Sequence, residues 1–150
     1  MSLDILNWVD KELSENRNDT VHDLLAYLAE QMIELIRSKN EEIKGFLKWL
    51  EREIGCQIDD LVGKTVLKDY HRGDIIAILA VLKKNAQKLS IDPTKRKFQE
   101  SLEKHFNESM AVLKPLKDKI RATDNLIDHV VYRLYGLTDE EIEVVEGKVF

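Results

Sequence analysis

The sequence holds one cysteine, two prolines and six glycines, and it has no long apolar run. Each shortage excludes something. Cys56 has no second cysteine to pair with, so an internal disulfide is ruled out, and a lone thiol fits a reducing compartment. No stretch approaches the roughly 20 apolar residues that cross a bilayer. The N-terminus lacks the basic-then-apolar layout of a secretory signal. We therefore expect a cytoplasmic protein with no membrane partner. With only Pro93 and Pro115 to interrupt it, the chain leaves long stretches open for helix. Strand-like alternation bounded by turn residues is scarce.

The motifs of common chemistry are also missing. No glycine-rich phosphate loop occurs, and no nucleophile elbow. His22, His71, His105 and His129 are scattered without zinc-site spacing. No Glu-x-x-His pair exists to build a di-iron site in a bundle. Cys56 has no histidine near it in sequence and reads as a small packing residue. Asp59-Asp60 reads as the first turn of a short helix rather than as paired metal ligands. The residues thus point to no catalytic residue, no cofactor and no metal.

What is present suits a helical domain. Hydrophobic residues make up 43% and charged residues 34%, enough for a core and too apolar for wholesale disorder. A short opening helix is predicted over residues 5–13, followed by a polar turn at 15–19. Thr20 then reads as an N-cap with Asp23 returning a bond. Val21, Leu25, Leu28, Met32 and Leu35 form one helical stripe, which resumes at Ile43, Leu47, Leu50 and Ile54. Lys39 and Asn40 interrupt it, which predicts a bend or an exposed turn there, with one continuous helix as the alternative. Gly55 stands where a left-handed C-terminal residue belongs.

Residues 56–74 read as loop, with an extended piece at 65–67. A compact helix is predicted over 74–88. Asp92-Pro93 reads as the cap and first residue of a long helix to about 135. Its stripe includes Phe98, Leu102, Phe106, Ser109, Leu113, Ile127, Val130 and Leu134. Pro115 either kinks this helix or starts another. Tyr132, Leu134, Tyr135 and Leu137 read as a knot that folds a last helix back, with Thr138 and Glu141 as its capping box. The fold expected is all-α: one helical domain over 1–150, a long antiparallel hairpin with additional short helices.

Net charge is −5, which disfavours general attraction to nucleic acid, but its distribution is uneven. Residues 1–60 carry 7 basic and 14 acidic side chains, whereas residues 83–121 carry 11 basic and 5 acidic. Lys83, Lys84 and Lys88 end one helix, and Lys95, Arg96 and Lys97 begin the next. Cations at a helix C-terminus suit the dipole; cations at an N-terminus oppose it. That opposition at Lys95, Arg96 and Lys97, with Lys83, Lys84 and Lys88 flanking the same short connection, makes these six residues candidates for contact with a phosphate backbone. Solvation and pairing with the acidic first half is the competing explanation. No aromatics are interleaved with these cations, which leaves single-strand stacking weakly supported.

The stretch Asp128-His129-Val130-Val131-Tyr132-Arg133-Leu134-Tyr135-Gly136-Leu137-Thr138-Asp139-Glu140-Glu141, within residues 123–147, resembles the C-terminal end of type IIG-like restriction–modification enzymes and related adenine-N6 DNA methyltransferases. Val21-His22-Asp23-Leu24-Leu25-Ala26-Tyr27-Leu28 and Leu89-Ser90-Ile91-Asp92-Pro93 resemble the same proteins, so the likeness covers about 20–147. The family's methylase needs a glycine motif for S-adenosylmethionine and an Asn-Pro-Pro-aromatic motif. Neither occurs here. The resemblance therefore implies a non-catalytic helical module beside the target-recognition region. Its implied partners are double-stranded DNA and a methylase or nuclease subunit. The alternative reading is a self-contained interaction or oligomerisation module that binds a partner helix, or a second copy, through its apolar stripes.

Overall fold

A computed structural model describes residues 2–147. Among them there is no strand. Six α-helices follow in order: α1 (Ser2–Ser14), α2 (Asn18–Ile54), α3 (Lys64–Lys68), α4 (Ile75–Lys84), α5 (Arg96–Leu134) and α6 (Asp139–Val145). Short 3-10 turns occupy Ile58–Asp60, Tyr70–Arg72 and Ala86–Lys88. The all-α architecture expected from the sequence is present. No helix among the described residues is long and apolar enough to cross a membrane. The chain divides into two compact units, residues 1–36 with 118–150, and residues 37–117.

In the first unit Val9, Val21 and Val130 are wholly buried, with Leu6, Leu13, Leu25, Leu126 and Leu134 packed around them. The polar turn after α1 is built on Asn16, whose φ of 60° is left-handed. Arg17 N donates to the Glu12 carbonyl (2.8 Å) and Asn16 N to that of Leu13 (3.2 Å), a Schellman closure with asparagine in the usual glycine position. The buried Glu12 carboxylate is held by the Arg17 guanidinium. This closure feeds straight into α2. The helix therefore starts at Asn18, and Thr20 is not its cap; its hydroxyl donates back to the Arg17 carbonyl (2.7 Å).

The end of α5 repeats the device. Gly136 has a φ of 65°, with Leu137 N on the Tyr132 carbonyl (2.9 Å) and Gly136 N on that of Arg133 (3.1 Å). Thr138 and Glu141 then form the predicted capping box of α6. The expected aromatic knot is only half there. Tyr132 is buried and reaches toward Glu146 (3.5 Å), but Tyr135 is 74% exposed.

In the second unit Phe46, Leu50 and Ile54 step along α2 at intervals of four and bury against a core that includes Leu102, Phe106 and Leu113 of α5. Lys39 and Asn40 lie inside α2, which runs on through them as a single helix. Pro115 lies inside α5 and starts no second helix. The carbonyl it leaves unbonded, at Ala111, belongs to an exposed residue that water can satisfy.

Residues 58–82 contribute Ile58, Leu61, Leu67, Tyr70, Ile78, Val81 and Leu82 to this core. The expected extended piece at 65–67 is instead part of α3. The buried Asn85 amide explains how so irregular a segment is held. Its Oδ1 accepts from Val62 N (3.0 Å), and its Nδ2 donates to the carbonyls of Val62 and Val81 (both 2.8 Å). The helix predicted over 74–88 stops at Lys84, where Asn85 turns inward. Asp74 caps it, accepting from Ala77 N (3.0 Å).

Gly55 takes the left-handed conformation expected of it, with a φ of 72°. Ser90 then comes back to close α2: its amide and hydroxyl both donate to the Ile54 carbonyl, at 2.8 and 3.1 Å. A Cβ on Gly55 would stand 2.2 Å from Ser90 Oγ. Gly45, inside α2, has nothing within 4 Å of such an atom. The two glycines predict opposite outcomes in denaturant titrations. Gly55→Ala destabilises by more than about 1 kcal/mol, because strain and clash add. Gly45→Ala stabilises by about 0.5–1 kcal/mol, because alanine loses less freedom in a helix.

Candidate functional site

All six basic residues of 83–97 are exposed and belong to the second unit. Lys83 and Lys84 end α4, where the dipole favours them. Lys88 Nζ donates to the Asp60 carbonyl (3.1 Å). The start of α5 differs from expectation. Asp92 does not cap it, because its carboxylate is occupied by Thr94 N (2.9 Å) and Thr94 Oγ1 (2.6 Å). Pro93 is buried in that turn, and the helix begins at Arg96. Lys95 therefore precedes the first turn directly, and Arg96 and Lys97 lie in it. No acidic residue occupies that turn.

Among the six, Arg96 has a counter-ion, Glu100 at 2.6 Å, in a pair exposed on both sides and worth little. Lys83, Lys84, Lys95 and Lys97 form no ion pair among the described residues. Of the competing explanation, solvation and pairing with the acidic first half, ion pairing does not account for these four. The two sets bracket a connection pinned to the end of α2 by Ser90.

A second feature is buried. Tyr70 is 1% exposed, stacked on Phe46 at 4.1 Å and edge-on to Phe106. Its hydroxyl shares a 2.7 Å hydrogen bond with Ser109 Oγ, which donates onward to Glu42 Oε2 (3.0 Å). Burial pushes the phenol up to about 12, so it stays neutral. The neighbouring His71 is 6% exposed, and its Nδ1 is buried without a partner. Lys117 Nζ donates to the His71 carbonyl (2.9 Å).

Burial, then Lys117, Lys39 and Arg72, hold the His71 imidazole below its ordinary value of 6.5, opposed weakly by Asp69. Burial, Lys39 and Arg72 lower Lys117 as well. Sequence reasoning does not single out this cluster, although Lys39 interrupting an apolar stripe is its trace.

Residues 14–131, more than three quarters of the chain, match the family described as "Domain of unknown function (DUF8810)". The chain belongs to that family. No curated protein and no solved structure matches it.

The remaining reactive groups of this DUF8810 chain have structural surroundings. Burial, Asp60 and Glu51 push the Cys56 thiol up, away from the thiolate a nucleophile needs. Asp59 is paired with Lys68, which holds its carboxyl low. His105 stacks on Trp49 at 3.9 Å and contacts the Ser101 carbonyl (2.9 Å). His129 meets Tyr132 edge-on. His22 is exposed. Among the described residues no three His, Cys, Asp or Glu side chains come together as metal ligands.

His71 carries a pH prediction. Its folded pKa lies below its unfolded one, so the unfolded state binds the proton first. Stability contributed by the neutral ring is complete above pH 6.5 and declines as pH falls below it. Unfolding curves between neutral and mildly acid pH should therefore converge for wild type and His71→Asn relative to their separation at neutral pH. A constant separation contradicts the assignment.

Proposed function

We propose that this chain is a non-catalytic helical module of a DNA restriction–modification system, one that contacts the duplex backbone through Lys83, Lys84, Lys88, Lys95, Arg96 and Lys97. The observation that carries the DNA contact is the start of α5. Three consecutive cations stand there against the helix dipole with no acid in the first turn. An arriving phosphate relieves that opposition. Lys83 and Lys84, exposed and without an ion pair among the described residues, add to the attraction. The assignment to a restriction–modification system rests on the likeness of residues 123–147, where Gly136 and the Thr138 capping box form one local unit.

Such contacts position a duplex without reading its sequence. With all six changed to alanine, fluorescence anisotropy should show weaker binding to unrelated duplexes by a similar factor. The dependence of log affinity on log salt should flatten by about 0.9 for each phosphate that the variant no longer neutralises. Unchanged affinity and slope overturn the DNA reading.

Interaction with a protein partner or a second copy is the second reading. Tyr27, Ile33 and Ile36 favour it, standing 56%, 57% and 42% exposed on α2 in the first unit. Light scattering at rising concentration separates self-association from a monomer.

A further inference from the structure

We propose that Lys39, Arg72 and Lys117, together with the buried imidazole of His71, form a binding site for the phosphate group of a small ligand. This goes beyond the duplex contact, for it uses other residues and a partly buried geometry. Three cations from three separate elements, α2, the 3-10 turn and α5, act on the one ring of His71 inside residues 37–117, with Lys117 at hydrogen-bond distance from its carbonyl and Arg72 beside it in the chain. The placement of each follows from interactions already described. Lys117 is fixed by its hydrogen bond to the His71 carbonyl. Arg72 follows His71 in the turn. Lys39 lies one turn before Glu42, which is tied through Ser109 to Tyr70, the residue before His71.

The cluster is uncompensated. Among the described residues no carboxylate forms an ion pair with Lys39, Arg72 or Lys117. Asp69 acts on the ring but does not outweigh the cations. In a chain of net charge −5, acids are plentiful, yet none neutralises these positions. Burial depresses both Lys117 and His71, and the neighbouring cations lower them further. His71 adds the second sign of a built site: a side chain 6% exposed whose Nδ1 is buried and unsatisfied.

Phosphate is the ligand chemistry that answers all of this. Its oxygens accept from several directions at once, and its charge offsets the repulsion. Lys117 has two N–H protons left after the carbonyl bond, Lys39 has three, and Arg72 offers its planar fork. In the Nδ1–H tautomer His71 donates as well. Exposure grades from Arg72, exposed, through half-buried Lys39 and Lys117 to His71, so an entering ion trades water for donors.

The test follows the His71 ring nitrogens by NMR in the full chain, titrating inorganic phosphate and separately dimethyl phosphate against chloride at matched ionic strength. We expect a saturable shift at His71 with phosphate and a rise of its pKa toward the ordinary value. Arg72→Gln, at an exposed position, should raise the half-saturation concentration about tenfold, the equivalent of one charge-assisted hydrogen bond. Lys39→Met with Lys117→Met should abolish the shift, with circular dichroism confirming the helices. A response to phosphate alone assigns a free phosphate or monoester, and an equal response to the diester assigns a backbone phosphate. No saturable shift at His71, or the same shift in Arg72→Gln, overturns the site.

Discussion

Tyr70 directs its hydroxyl to Ser109 of α5, and Ser109 passes the bond to Glu42 of α2. Its ring lies between Phe46 and Phe106, one from each long helix. A short irregular segment is thus fastened to both long helices at one buried point. The rest of residues 37–117 hangs on that fastening. It sets Leu67 and Ile78 into the core and holds His71 beneath solvent. A hydroxyl left there without partners would be costly, so the bonds to Ser109 and Glu42 make the burial of the ring tolerable as well as specific.

From that core the charged surface follows. Asn85 ends α4 by turning inward, which leaves Lys83 and Lys84 outside. Ser90 returns the chain to the end of α2, and Pro93 is buried. Asp92 is engaged by its own turn, so α5 begins on cations rather than on an acid. The basic face is thus a consequence of how the connection is built, and neighbouring carboxylates do little to neutralise it. In a chain whose net charge is −5, that local excess is what favours an anionic partner.

Much of the fold is legible in the sequence because helices repeat. The stripes ending at Ile54 and running through Leu102, Phe106 and Leu113 are spaced for one buried face, and the core follows them. Gly55, Gly136 and the Thr138 box are legible because left-handed and capping geometries restrict residue choice. Residues 56–74 are not. Their shape depends on Asn85 and Ser109, which lie far along the chain and leave no local pattern. The starts of α2 and α5 differ from expectation for a related reason. Thr20 and Asp92 have cap-forming side chains, but both are engaged by nearer backbone or side-chain groups. The six surface cations are visible as a charge excess. The Lys39, His71, Arg72 and Lys117 cluster is not, because only the tertiary structure brings it together.

The most direct test of the account is amide chemical-shift mapping of the protein on addition of a generic duplex at low salt. The largest, salt-sensitive shifts are expected at residues 83–97, centred on the start of α5. Shifts confined to residues 2–36 and 118–147, or none at all, would contradict it and leave the basic residues as solvated surface.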